Sequence, residues 1–183
     1  MRKLKYHEKK LLRKVDFYSW KSDAGHREAS VVRRYMLQNR EDYIKYNKVV
    51  GKITKLCSVL KKLDQRHQKR IETSKLLLEK LYNMGVINNT ASLSNIESLT
   101  VSSFCRRRLP VVMVRLKMGQ SLKEATTYIE QGHIRVGPNV ITDPAYLVSR
   151  TFEDYVTLVD SSKIKRTIMK YNDKLDDFDL LGN

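Results

Sequence analysis

Apolar side chains recur along this chain with two different periods, and the change from one to the other divides it. Leu4, Leu11, Leu12 and Val15 predict a short helix over residues 4–18, running into the aromatic cluster Phe17, Tyr18 and Trp20 and broken by Asp23-Ala24-Gly25. From Ala29 to Leu63 apolar residues return every three or four positions, among them Val32, Tyr35, Tyr46, Val50, Ile53, Cys57 and Leu60, which is helix spacing. Asn39-Arg40-Glu41-Asp42 is the expected split in this stretch. Ile71, Leu77, Leu78, Leu81 and Tyr82 predict a further helix from Gln68 to Met84, stopped at Gly85, a residue type that closes helices in the left-handed conformation.

Residues 88–98 are polar and carry too few apolar positions to hold a helix or strand alone, so 88–102 reads as a linker. Ser102 or Ser103 then caps a helix running to about Lys117, which Pro110 either kinks or divides and Gly119 ends. Ser121-Leu122-Lys123-Glu124 has the form of a capping box and opens a helix that closes at Gly132. Beyond Gly132 the period becomes alternating. His133–Val136 and Val140-Ile141 read as strands around the turn Gly137-Pro138-Asn139, and Tyr146–Val148 and Tyr155–Val159 complete a small antiparallel sheet. Residues 161–183 add a basic helix and an acidic tail, Asp176-Asp177-Phe178-Asp179. The expected fold class is α+β: a basic helical region over 1–87, a linker over 88–102, two helices packed on a short sheet over 103–160, and the C-terminal helix and tail over 161–183.

Composition adds that this is a foldable chain, 41% hydrophobic with seven glycines and three prolines in 183 residues, and not a free-standing basic tail. No apolar run spans a bilayer and no apolar signal core follows the first lysines, so a soluble intracellular protein with no membrane partner is expected. The formal charge is +16. Residues 1–55 hold 16 basic and 6 acidic side chains, a net of +10, against +3 over 56–102, +2 over 103–160 and +1 over 161–183. Such a field implies a polyanionic partner. The tail residues Arg2, Lys3, Lys5, Lys9, Lys10, Arg13 and Lys14 are candidate auxiliary contacts. The third segment is uneven, with Arg106, Arg107, Arg108, Arg115, Lys117 and Lys123 all preceding its first acid, Glu124.

An arginine triplet alone reads as a solvated helix face. Helical spacing, however, places Arg108 and Arg115 together on one face with Leu109, Val112 and Leu116 on another, and puts Lys123 in the first turn of the next helix, where free backbone N–H groups favour phosphate. With Phe104 the one aromatic nearby, structured RNA read through its backbone suits the patch better than stacked bases. Neutralising about six phosphates would cost roughly three orders of magnitude in affinity between low and physiological salt. Charge reversal at Arg107 and Arg108 is then expected to weaken binding. No catalytic set is present: His133 has no acid, nucleophile or metal ligands around it in sequence and reads as a positioned hydrogen-bonding residue, and Gly132 and Gly137 read as turn residues and not as a phosphate loop. Cys57 and Cys105 lack zinc or disulfide spacing and are expected to be buried as small apolar side chains, so neither metal nor cofactor is expected.

These elements in this order, Arg106-Arg107-Arg108-Leu109, Leu116, Ala125, Ile129 through Gly137, and Asp143-Pro144-Ala145-Tyr146-Leu147-Val148, resemble the S4 RNA-binding domain. The similarity extends over nearly the whole chain through Val15–Lys21, Asn39–Tyr43, Leu81–Val86 and Asp177–Asp179, which look like the S4-domain subunits of the U3 small nucleolar ribonucleoprotein. The resemblance implies a non-enzymatic, nucleolar factor of the small-subunit processome that binds U3 snoRNA and small-subunit pre-rRNA and promotes their pairing for 18S rRNA processing. It implies the scaffold Mpp-ten and a Brix-domain protein as partners. It also implicates Gln131, His133 and Arg135 beside the six basic residues above, while Thr126-Thr127 stand where many members of the domain family carry a second basic residue in the second helix. The competing readings are a ribosomal protein of the mature small subunit, an accessory to an RNA-modifying enzyme, and a DNA-binding structural protein.

Overall fold

A computed structural model describes residues 2–14 and 26–174. The aromatic cluster and break expected within 15–25 and the acidic tail beyond 174 lie outside the described residues. Helix α1 (Tyr6–Lys14) begins where the Glu8 carboxylate accepts from the Lys5 backbone N–H at 2.9 Å, and its Leu11 and Leu12 are exposed. Helices α2 (His26–Tyr35) and α3 (Arg40–Lys62) are separated at Met36–Asn39, earlier than expected. Leu37 is drawn into a cluster with Tyr35, Val101 and Cys105, which forces Met36 to a left-handed φ of 47°. The acids of the expected break, Glu41 and Asp42, instead fill the first turn of α3, where the helix dipole favours them.

Helix α4 (Gln68–Asn83) stops as its sequence indicates. Gly85 takes φ 70° and donates to the Tyr82 carbonyl at 2.8 Å, while Val86 donates to Leu81 at 3.0 Å, the paired bonds of a Schellman cap. The segment read as a linker is packed. It contains the one-turn helix α5 (Ser94–Glu97), and Ile87, Ile96 and Leu99 join Cys57, Leu78, Leu81 and Phe104 in a buried cluster, so a few well-placed apolar residues suffice when neighbours cover them.

Of the two alternatives at Pro110, the stretch is divided and not kinked, into α6 (Val101–Cys105) and α7 (Leu109–Arg115). Pro110 sits in the first turn of α7, where its missing N–H costs nothing. Lys117, and not Gly119, ends α7: it adopts φ 60° and donates to Val114 while Met118 donates to Met113. Helix α8 (Leu122–Glu130) carries the expected capping box and closes at Gly132, φ 73°. The sheet has three antiparallel strands in the order β2 (Asn139–Val140), β1 (Ile134–Val136), β3 (Val156–Leu158), with Arg135 opposite both Val140 and Thr157. Tyr146–Val148 is not a fourth strand. Both edges of β1 are taken, and this segment instead runs beside the extended turn between α6 and α7, with Leu109 donating to Tyr146 at 2.9 Å and Val148 to Arg107 at 2.8 Å. Leu109, Val112, Met113, Ala125, Ile129, Ile134, Val148 and Val156 form the core of this module. Helix α9 (Lys163–Tyr171) follows, capped by Ser162, whose Oγ accepts from the Ile164 N–H.

Candidate nucleic-acid interface

The arginine triplet occupies the turn between α6 and α7, so its three side chains leave in different directions. Arg106 is exposed, and its Nε donates to the Tyr35 hydroxyl at 3.4 Å. Arg107 is 5% exposed: Nε and Nη2 donate to the Val148 carbonyl at 3.0 and 2.8 Å, and Nη1 pairs with Glu153 at 3.0 Å. Arg108 is 1% exposed, with Nη1 on Asp42 at 3.0 Å and on the Tyr46 hydroxyl at 3.4 Å, while its buried Nε has no partner. The expected face shared by Arg108 and Arg115 is therefore not formed. Arg108 precedes α7 in an extended conformation and turns inward, and Arg115 lies at the helix surface.

Burial of this kind has a structural result. Arg108 fastens the module to α3, and Arg107 fastens the turn to the 147–153 loop while lying against the end of α4, where a Cβ on Gly85 would come within 2.7 Å of its guanidinium carbon. Arg150 completes the junction by donating to the carbonyls of Tyr82 and Ile87 and lying 4.0 Å over the Tyr82 ring. Nothing in the local pattern around Ser149-Arg150-Thr151 marks this residue. Glu153 receives both Arg107 and Arg115. Burial lowers the pKa of both guanidiniums, and the neighbouring arginines, Arg150 for Arg107 and Arg107 with Arg150 for Arg115, lower it further, so this is a positively charged junction held by one acid.

The corner between α7 and α8 is arranged differently. Lys117 and Lys123 are both exposed there, and no acid among the described residues pairs with either. Of the backbone donors at the start of α8, the N–H groups of Leu122 and Lys123 have no acceptor among the described residues, and their neighbours are engaged. The Glu124 carboxylate accepts from the N–H groups of Gln120 and Ser121 at 3.1 and 3.3 Å, and Ser121 Oγ accepts from Glu124 at 3.3 Å. The two lysine ammonium groups, with the N–H groups of Leu122 and Lys123, are what this corner offers a polyanion.

Gln131 is exposed at the end of α8. His133 is half-buried, its Nδ1 within 3.1 Å of the Ser162 hydroxyl, which ties the start of the sheet to α9. Arg135 bonds Thr157 at 3.0 Å and Asp160 at 2.8 Å. Lys165, foremost through its hydrogen bond, and Arg135 hold the Asp160 carboxyl below its usual range. In the tail, Arg2 pairs with Glu8, and Lys3, Lys5, Lys9 and Lys10 are exposed; the side chains of Arg13 and Lys14 lie outside the described ones. Cys57 and Cys105 are free thiols, both buried, and burial pushes the Cys105 pKa up to about 11. Among the described residues there is no grouping of three His, Cys, Asp or Glu that could hold a metal, and no helix long and apolar enough to cross a membrane.

A helical region leading into two helices and the first two strands of the sheet is matched by two consecutive family models, the ribosomal protein S4/S9 N-terminal domain over residues 3–106 and the S4 domain over residues 107–153. The chain is thus of the S4/S9 class, and the seam between its two models falls inside the arginine triplet. Within that class it is 55% identical to the U3 small nucleolar ribonucleoprotein protein IMP3 of Saccharomyces cerevisiae and 51% identical to that of Homo sapiens, in each case over 98% of both chains. Its identity to the small ribosomal subunit protein uS4 of Methanothermobacter thermautotrophicus is 27%, over 88% of this chain and 95% of the other. The chain belongs to the IMP3 family of U3 small nucleolar ribonucleoprotein proteins.

Proposed function

We propose that the protein is a non-enzymatic RNA-binding assembly factor of the U3 small nucleolar ribonucleoprotein. In this reading it works in the nucleolus within the small-subunit processome, binds U3 snoRNA and small-subunit pre-rRNA, and promotes their pairing for 18S rRNA processing. The observation that carries the reading is the 55% identity, end to end, to a protein of that particle. Mpp-ten and a Brix-domain protein are its proposed protein partners. The proposed RNA surface is led by Lys117 and Lys123, with Arg106, Arg115, Gln131 and Arg135 around it and the lysines of α1 as auxiliary contacts. Arg107 and Arg108 serve it indirectly, by holding the module against α3 and α4, and His133 by holding the sheet against α9.

Lys117→Glu with Lys123→Glu is expected to lower RNA affinity by more than tenfold, read in a gel shift, with the thermal midpoint unchanged. Unaltered affinity in that variant would remove the corner from the interface. Sedimentation of cell extracts tests the assembly role. Association with large nucleolar precursors alone supports it, whereas presence in mature small subunits would favour the ribosomal-protein reading that the uS4 likeness keeps open.

A further inference from the structure

A polar cavity of about 430 Å³ lies between the end of α4 and the start of α6, walled by the 86–89 segment on one side and by residues of the 95–106 stretch on the other. We propose that it receives one unpaired nucleotide of the bound RNA, with a phosphate on Arg106 and the base edge on the carboxamides of Asn88, Asn89 and Asn95. The inference rests on the RNA-binding reading above and adds a specific site to it.

Charge is the first argument. Lys117 and Lys123 are not part of this wall, and no acidic side chain lines it, so Arg106 gives it a single uncompensated positive charge. Of the three arginines in the turn, Arg106 alone has no carboxylate partner among the described residues; Arg107 is held by Glu153 and Arg108 by Asp42. Only its Nε is engaged, on Tyr35, so both terminal nitrogens remain as a fork that suits a phosphate.

Hydrogen-bonding capacity is the second. Asn89 uses its carbonyl oxygen to accept from the Ala91 N–H at 3.0 Å, which leaves its NH2 group. Asn95 uses its NH2 group on the Asn89 carbonyl at 3.1 Å, which leaves its oxygen. The Asn88 carboxamide has no partner among the described residues, so the wall presents both donors and acceptors, the combination that reads a splayed-out base. Val86, Ile87 and Leu99 supply an aliphatic floor for the base, and Ile87 and Leu99 are themselves anchored in the core.

Shape is the third. The volume falls within the about 300–1,000 Å³ of small-ligand sites. A protein ligand would call for an apolar anchoring pocket, and this wall is mainly amide, hydroxyl and guanidinium.

The test is a titration of the isotope-labelled full chain with each of the four nucleoside 5′-monophosphates and, separately, with inorganic phosphate, followed by NMR. At least one monophosphate is expected to shift the side-chain amide signals of Asn88, Asn89 and Asn95 together with Arg106 Nε–H, whereas inorganic phosphate shifts the Arg106 signal alone. Asn88→Ala, at an exposed position, should abolish the amide shifts of Asn89 and Asn95 and weaken binding of a fluorescein-labelled stem-loop RNA by about two- to tenfold, the size of one neutral hydrogen bond, while leaving its binding to blunt duplex RNA unchanged. Amides that no monophosphate moves, or stem-loop affinity equal in variant and parent, would overturn the pocket and leave the RNA-binding reading standing. A parent chain that binds neither RNA would instead overturn the RNA-binding reading.

Discussion

Three neighbouring arginines with the same chemistry have three different fates here, and the difference lies in what each one faces. Arg108 is buried against a mostly buried Asp42, and removing the arginine leaves that carboxylate only the looser contact with Lys45 at 3.8 Å. Arg108→Ala is expected to cost about 3–5 kcal/mol in urea unfolding. Arg106→Ala, at the surface, should stay within about 0.5 kcal/mol of the parent. Equal losses in the two variants would contradict the burial difference. The charge reversal of Arg107 and Arg108 expected from the sequence to probe RNA contact thus probes folding first. Lys117 offers a cleaner separation. A side chain held at φ 60° costs roughly 1–2 kcal/mol that glycine does not incur, partly offset by the greater unfolded-state freedom of glycine. Lys117→Gly should therefore unfold at the same or a higher urea concentration while binding RNA more weakly. A less stable variant would show that the lysine stem, and not only its charge, is needed in the fold.

At the level of elements, the caps decide where helices stop and the junctions decide how they meet. The end of α4 does both. Gly85 makes the left-handed turn and leaves room for the Arg107 guanidinium. Gly85→Ala is expected to cost about 1–2 kcal/mol for the conformation alone, with more for displacing Arg107, and a calorimetric midpoint unchanged from the parent would refute the close approach. The alternation and helix periods placed α4, α8, β1 and β3 nearly where they lie, because each of these presents its apolar residues to one neighbour. The segment 146–148 alternates equally well and yet forms no strand of the sheet. Its partner is the backbone of the turn around Arg108, which no local pattern announces.

For the whole molecule, the question is where the excess charge is free to act. The module over 103–160 has a net charge of only +2, and its arginines at 107, 108, 115 and 135 all answer acids. Arg106, Lys117 and Lys123 do not. About three phosphate contacts from the module correspond to a slope of roughly −2 to −3 in log affinity against log salt, shallower than six contacts would give. The tail carries the larger reserve of exposed lysines. Removal of residues 1–14 is expected to weaken RNA binding and flatten the salt slope toward the module's value, with the preferred site unmoved. An unchanged slope would show the tail's charge to be idle.

Sequence alone determined the α+β class, the ends of α4 and α8, the capping box at Ser121, the excess of positive charge and, through motif order, the family. Those features are written in residues close together along the chain, where periodicity, caps and charge runs are read directly. Only the tertiary structure decided which basic residues reach solvent. Asp42 lies 66 positions before Arg108 and Glu153 lies 46 after Arg107, and no local reading can tell that these acids return to meet the triplet. The packing of Ile96 beneath a polar segment and the cavity beside Arg106 have the same origin, since both arise where distant segments close over one another.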